Sequence, residues 1–331
     1  MTLPQRWYRL ASVTLMLVSS GDIGCTGGKG APSAADGEGE PDSGRDSGAG
    51  AGPGRIHLVY MGSASSGDVG RDDDPHLIYT ATSDDGVNFK EDGLIFTSED
   101  RNDPDIFPAA TGFGLLTSNG PTLNYATSDT LAGTFTEGTE LSWRGGGGSS
   151  TLSINGVQQV FFCGFGAIDV SPLELDPPAL GTPAHALSNP HGAGFICDPN
   201  VVKFGEADYR MYYHWTPELS ALPYRHIVYG ASSTDGLNFT AIDEAIYEQA
   251  SVPGAVVREG VIYLYAVDGE GGGHPDDDSG HKDGDSGKDD PPSGLIVGIS
   301  ADGGGTWDFQ KVLFENAAMP QAYDPDPILA P

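Results

Sequence analysis

Positive charge is what this 331-residue chain has least of: 16 Lys and Arg stand against 47 Asp and Glu, a formal net charge of -31. That balance excludes nucleic acid as a partner, because binding its backbone requires clustered basic side chains. No long stretch after Arg55 carries a 3.6-residue apolar period, and only residues 242–250 leave room for a turn or two of helix. Phosphate loops, nucleophile elbows and dinucleotide fingerprints are absent too. What the chain has in abundance is glycine, 49 residues, roughly double the usual share of about 7%. Hydrophobic residues at 38% and aromatics at 9% still suffice for a core. The chain is therefore globular, with its glycines and prolines in many tight turns.

The N-terminus reads as an address. Arg6 and Arg9 precede a short apolar run over residues 10–18, then small residues and Cys25. That is the layout of a secretory signal over residues 1–25, too short in its apolar part to span a bilayer. Ile23-Gly24-Cys25 resembles the end of a bacterial lipoprotein signal, which implies lipidation of Cys25; the other reading is an ordinary secretory signal. Residues 26–54 hold no aromatic residue and are rich in Gly, Asp and Pro, so they cannot offset their ordering entropy and form a tether. The expected location is an exported bacterial protein, in the periplasm or anchored by lipid at the outer membrane or cell surface. Membrane contact is expected only through that anchor, and the chain is expected to be a monomer. With Cys25 set aside, Cys163 and Cys197 remain, either a disulfide in an oxidising compartment or two buried thiols.

The body, residues 55–331, repeats itself. Short β-rich runs at 56–60, 77–82, 209–214, 227–231, 261–267 and 295–300 alternate with turn residues. One phrase is a strand, Ser-x-Asp-Gly, then an aromatic: TATSDDGVNF at 80–89, GASSTDGLNF at 230–239, GISADGGGTWDF at 298–309 and, more loosely, YATSDTLAGTF at 125–135. Such a phrase makes a hairpin in which Ser and Asp bond the turn backbone, Gly takes a positive φ and the aromatic packs below. A second phrase, Asp-Pro, leads into a strand at Asp103-Pro104, Asp198-Pro199 and Asp324-Pro325, with Val252-Pro253 in a matching place. The spacing gives units of about 50 residues, and four-stranded units of that length are propeller blades. Five blades fit: the first from residue 56 to 96, then units opening near residues 103, 149, 198 and 252. Residues 166–194 form an irregular Pro-rich stretch of the third blade, and the fifth runs to residue 315. The segment 324–329 is left over as the missing inner strand of the first blade, closing an all-β ring.

These hairpins and Asp-Pro strands resemble the five-bladed propeller glycosidases of glycoside hydrolase family 43. Ser300-x-Asp302-x-Gly304-x-Thr306-Trp307 is similar to the Asp box of sialidases and other propellers. The resemblance implies a carbohydrate substrate and carboxylates converging on an axial pocket, one protonated and one ionised. It places the base role on Asp324 and a second carboxylate role on Asp103 or Asp198. Asp105, Asp326, Asn200 and His191 would contact substrate. No Glu-x-Pro phrase supplies the family's general acid; Glu99 and Glu259 are distant substitutes. Two functions follow: a glycoside hydrolase acting on polysaccharide, or a non-catalytic propeller binding glycan or a protein partner. No cofactor is required by either.

Two other clusters remain. His76, His185, His191, His214 and His226 share no metal-ligand spacing and read mainly as structural, with His185 and His191 the candidates for a pocket rim. The acidic loop at 268–294 sets Asp283, Asp285 and Asp289 among glycines, a pattern that could present oxygens to a structural Ca²⁺ or be a solvated acidic loop.

Overall fold

Side chains of successive strand residues point to opposite faces, so a strand covered on both faces must be apolar at nearly every position. The segment Tyr209–Tyr213 is of this kind: Tyr209, Met211 and Tyr213 enter one apolar cluster, Tyr212 another. The computed structural model of the chain shows why. It describes residues 54–63, 76–98, 102–119, 122–142, 145–164, 166–217, 226–268, 294–315 and 321–330, all strands and turns. The signal segment with Cys25, almost all of the tether, Glu99 and the acidic loop with its candidate Ca²⁺ ligands lie outside the described residues.

The strands form five sheets, and each sheet is a blade. Blade 2 is the meander Asn102–Pro108, Phe113–Asn119, Thr122–Ser128, Thr136–Ser142. Blades 4 and 5 repeat it, opening with Phe195–Gly205 and Ala250–Arg258. Blade 3 opens with Gly146–Ile154. Five apolar clusters sit one in each seam between neighbouring blades, 1 with 2, 2 with 3, 3 with 4, 4 with 5 and 5 with 1.

Closure is double. The C-terminal strand Gln321–Ala330 runs antiparallel to Arg55–Ser63 as the inner strand of blade 1. Leu313–Glu315, which the sequence assigns to blade 5, instead pairs in parallel with Asn88–Lys90 at the outer edge of blade 1. Both ends of the ring are thereby sealed against edge pairing.

Two other expectations are corrected. Residues 242–250 contain no helix; Thr240–Glu248 is the outer strand of blade 4, paired with Ile227–Ser233 through register shifts. Its alternation of Ile242, Ile246 and exposed acids is a half-buried edge pattern, which a short window does not separate from a helical one. The stretch 166–194 is regular as well: Ala167–Leu175 is the third strand of blade 3, and Pro178–Leu180 and Ala184–Ser188 pair with its two halves.

The repeated hairpins join third and outer strands. Ser83 Oγ accepts the Gly86 N–H at 2.8 Å, and Asp85 Oδ1 accepts those of Val87 and Asn88 at 2.8 Å. Ser233 and Asp235 do the same in blade 4. Gly86 has φ +82°, and a Cβ there would lie 2.5 Å from the Tyr263 ring, so no other residue fits.

Because the ring closes through Gln321–Ala330, truncation before Gln321 should abolish cooperative thermal unfolding. A truncated chain that melts as one transition within a few degrees of the full chain would refute closure by this strand.

Candidate functional site

Each inner strand breaks its ladder at the same place. The register shifts fall between Asn102 and Asp105, Gly146 and Ser149, Cys197 and Asn200, Ser251 and Gly254, and opposite Val59 and Met61 in blade 1. Within each bulge one residue is left-handed: Asp103 (φ 52°), Gly147 (77°), Asp198 (47°), Val252 (48°) and Asp324 (48°). Four of the five are followed by Pro, which suits a position where no ladder donor is needed. These bulges line a small axial pocket of about 20 Å³, with Asp103, Asp198, Asp324, Asp326 and Asn200 in its wall.

Two tiers of polar groups surround the axis. In the deeper tier each side chain holds the next blade. Asp326 Oδ2 accepts the Ile106 N–H at 2.5 Å, and Asp105 Oδ1 accepts the Thr151 N–H at 3.0 Å. Ser150 Oγ accepts the Val201 N–H at 3.0 Å, and Asn200 Oδ1 accepts the Ala255 N–H at 2.9 Å. Asn200 Nδ2 also donates to Asp326 Oδ1 at 3.2 Å. Asp105, Asp326 and Asn200, expected to contact substrate, are thus engaged in joining blades. Burial pushes the Asp105 carboxyl up to about 6 despite its bonds from Thr151 and Ser149. It raises Asp326 well above the ordinary range, with Asp105 adding repulsion.

The upper tier is Asp103, Asp198 and Asp324. Burial and the charges of Asp103 and Asp198 hold Asp324 well above the usual carboxylate range, although the Asp103 N–H bonds it. Burial and the Asp198 charge bring Asp103 to about 7, against a 2.7 Å bond from the Ser118 hydroxyl to Asp103 Oδ2. Asp198 goes the other way. Its burial opposes ionisation, yet His214, whose Nδ1 lies 2.9 Å from Asp198 Oδ2, the Gly148 N–H at 2.8 Å and the nearby His226 together hold it below the ordinary range.

Blade 3 makes this possible by replacing Asp-Pro with Gly147-Gly148. With no proline at 148 an N–H is free to bond Asp198. With no side chain at 147 there is room for the Cys163–Cys197 disulfide and the Asp198 carboxylate, which a Cβ would meet at 2.5 to 3.0 Å. The disulfide ties blade 3 to the inner strand of blade 4, and the Asp198 N–H points to Cys163 Sγ at 3.2 Å. It also removes Cys163 and Cys197 as metal ligands beside Asp198.

The remaining expected residues lie elsewhere. His191 is not at the axis: its ring packs 4.1 Å from that of Tyr229 and 4.7 Å from that of Trp215, in the seam of blades 3 and 4. His185 is exposed and paired with Asp169 at 2.6 Å. Glu259 sits in the exposed turn at the far end of Ala250–Arg258, about 20 Å along the strand from Val252 at about 3.3 Å per residue. No Glu lines the axial pocket among the described residues. The residue that sequence reading left without a site role is His214; its signal is the pairing of Cys197 with His214, which puts it beside Asp198.

Gly147→Ala should therefore cost about 1–2 kcal/mol for its left-handed backbone and about 1–3 kcal/mol more for overpacking. Gly146→Ala, with nothing within 4 Å of a Cβ, should be near neutral. Equal melting temperatures for the two variants would contradict this account.

Neither a family model nor a curated protein matches the chain. Solved structures do. An α-L-arabinofuranosidase from Clostridium thermocellum matches with a TM-score of 0.50 at 17% identity, over 78% of this chain and 90% of that one. An α-L-arabinanase from Cellvibrio cellulosa, solved with arabinohexaose, gives 0.46 at 11% identity, over 65% and 87%. A family-43 protein from Bacillus licheniformis gives 0.47 at 16%, over 63% and 49%. At these identities the likeness is one of fold. The chain is a five-bladed β-propeller built like those of the family-43 glycoside hydrolases.

Proposed function

We propose that the protein is a glycoside hydrolase acting on polysaccharide, with its acid–base pair drawn from the three upper-tier aspartates. The observation that carries this reading is geometric: three buried carboxylates meet at one axis, where His214 and the Gly148 N–H hold Asp198 below the ordinary range while burial and the Asp198 charge raise Asp324 and Asp103 above it. Glycoside hydrolysis needs such a pair, a proton donor for the leaving oxygen and an ionised partner. Asp324, neutral, donates its proton to the glycosidic oxygen as the C–O bond breaks. Asp198 takes a proton from the water that forms the new C–O bond. Asp103 keeps Asp324 protonated by repulsion. This gives Asp324 the acid role, the reverse of the base role that the family resemblance implies. The buried environment of Asp324 and the His214 contact to Asp198 favour this reversal.

A second reading has its own support. An axial pocket of about 20 Å³ has room for a water or two, which suits a propeller that binds glycan or a protein partner without cleaving it. The proposal also covers location: an exported bacterial protein, lipid-anchored through Cys25. The lipoprotein-like signal supports this, and so does a disulfide, which persists in oxidising compartments. Mass spectrometry of the mature chain should find an acylated N-terminal Cys25; an unmodified N-terminus removes the anchor.

Asp198→Asn and Asp324→Asn should each lower reducing-sugar release from a responsive polysaccharide by at least about 10²-fold, the usual contribution of a general acid or base, with the melting transition kept. Asp103→Asn should shift the alkaline limb of the pH profile to lower pH by removing its repulsion of Asp324. Activity requires Asp198 ionised and Asp324 neutral. The acid limb of the pH profile should therefore lie below the ordinary carboxylate value of about 3.9. The alkaline limb follows deprotonation of Asp324, which burial and the charges of Asp103 and Asp198 hold well above the ordinary carboxylate range. An acid limb at or above that ordinary value, or full activity in the Asp324 variant, defeats the assignment. Saturable binding with no sugar released from any polysaccharide favours the second reading.

A further inference from the structure

The hairpin that seals a seam in blades 1 and 4 leaves one open in blade 5. Six residues after Ser83 stands Phe89, fully buried with its ring 5.8 Å from that of Tyr265 in blade 5. Six residues after Ser233 stands Phe239, buried 5.9 Å from Phe161 in blade 3. Blade 5 has one residue more in its turn. Ser300 Oγ accepts the N–H of Gly304, four residues on, where Ser83 and Ser233 accept from the third. The aromatic is displaced with it: Trp307 stands seven residues after Ser300 and meets Tyr212 edge-on at 5.8 Å, yet remains only partly buried.

The consequence is a cleft of about 600 Å³ between blades 4 and 5. That is within the range of about 300–1,000 Å³ typical of ligand sites, and it shares no lining residue with the axial pocket. Trp307, Phe309 and Tyr212 supply aromatic surface, and Ile242, 40% exposed, faces the same space. Glu244 adds an acceptor, and Arg210, whose Nε and Nη2 pair with Asp208 at 2.8 and 3.1 Å, adds its Nη1 as a donor. Asp302 does not; its oxygens are spent on the turn, accepting from Ser300, Gly305 and Thr306.

The lining selects among ligands. A chain with net charge -31 repels anions, and the cleft carries acids of its own. Aromatic faces beside one donor and one acceptor suit a neutral molecule with a C–H face and hydroxyl edges, which is a sugar ring. We propose that the blade 4–5 cleft is a second saccharide site, holding a neutral oligosaccharide away from the axial aspartates. It rests on the reading that this propeller acts on polysaccharide, and would keep a chain docked while its ends pass the axis.

The test is a titration of ¹⁵N-labelled full chain with neutral hexasaccharides derived from arabinan, xylan and mannan. At least one should move the indole N–H signal of Trp307 saturably, while that of Trp215, bonded to the Ala193 carbonyl at 3.0 Å, stays in place. Asp198→Asn should retain the shift. By isothermal titration calorimetry Trp307→Ala should abolish this binding, and Glu244→Ala, an exposed position that the fold does not need, should weaken it about fivefold, the loss of one hydrogen bond. The proposal is overturned if no hexasaccharide moves the Trp307 signal, or if Glu244→Ala and Trp307→Ala bind as the parent does. Sugar release from polysaccharide without the Trp307 shift defeats this cleft and leaves the axial function standing; the shift without sugar release does the opposite.

Discussion

The left-handed residue in each inner strand is the constraint on which the rest of this structure depends. Holding a non-glycine residue there costs of order 1–3 kcal/mol, and Asp103, Asp198, Val252 and Asp324 all bear it. Val252 shows that the fold, not catalysis, imposes the geometry, since a β-branched side chain has no local reason to adopt φ 48°. Five strands crowd one axis, and a bulge at each lets the strand bend over its neighbour while turning one side chain inward. The deeper side chains then lock the ring, with hydrogen bonds running from blade 1 to 2, 2 to 3, 3 to 4 and 4 to 5. At the fifth junction Gly254 takes over, and a Cβ there would collide with the Pro325 carbonyl.

Putting three acids at one axis would be prohibitive if all stayed charged in a buried site. The molecule resolves this asymmetrically. Blade 3 gives up its own acid and its proline, and the freed N–H together with His214 supports the Asp198 charge. Burial and that charge then suppress ionisation at Asp324 and Asp103. In the run of glycines at 145–148 two positions are closely packed: a Cβ on Gly145 would strike Phe162, and one on Gly147 the disulfide.

The blade count and the closing strand were legible because they rest on local chemistry repeated along the chain. A Ser-x-Asp-Gly hairpin is specified by contacts within a few residues, and the period of such phrases counts blades. The same reasoning assigned residues 313–315 to blade 5, since nothing local signals their parallel pairing with Asn88–Lys90. His191, a candidate for a pocket rim by its place in the Pro-rich stretch, packs among Tyr213, Trp215 and Tyr229. His214 went unassigned because its partner lies 16 residues away, across a ladder whose register a bulge has shifted.

By itself, then, the sequence determined the architecture: period-2 apolar strands, self-bonded turns and Asp-Pro bulges encode their geometry over distances of a few residues. Tertiary structure decided the chemistry. Which aspartate is held below the ordinary carboxylate range, which acids join blades, and which seam stays open depend on side chains that meet only when the ring closes. Ionisation responds to burial and to charges from other blades, and neither quantity exists until those blades are in place.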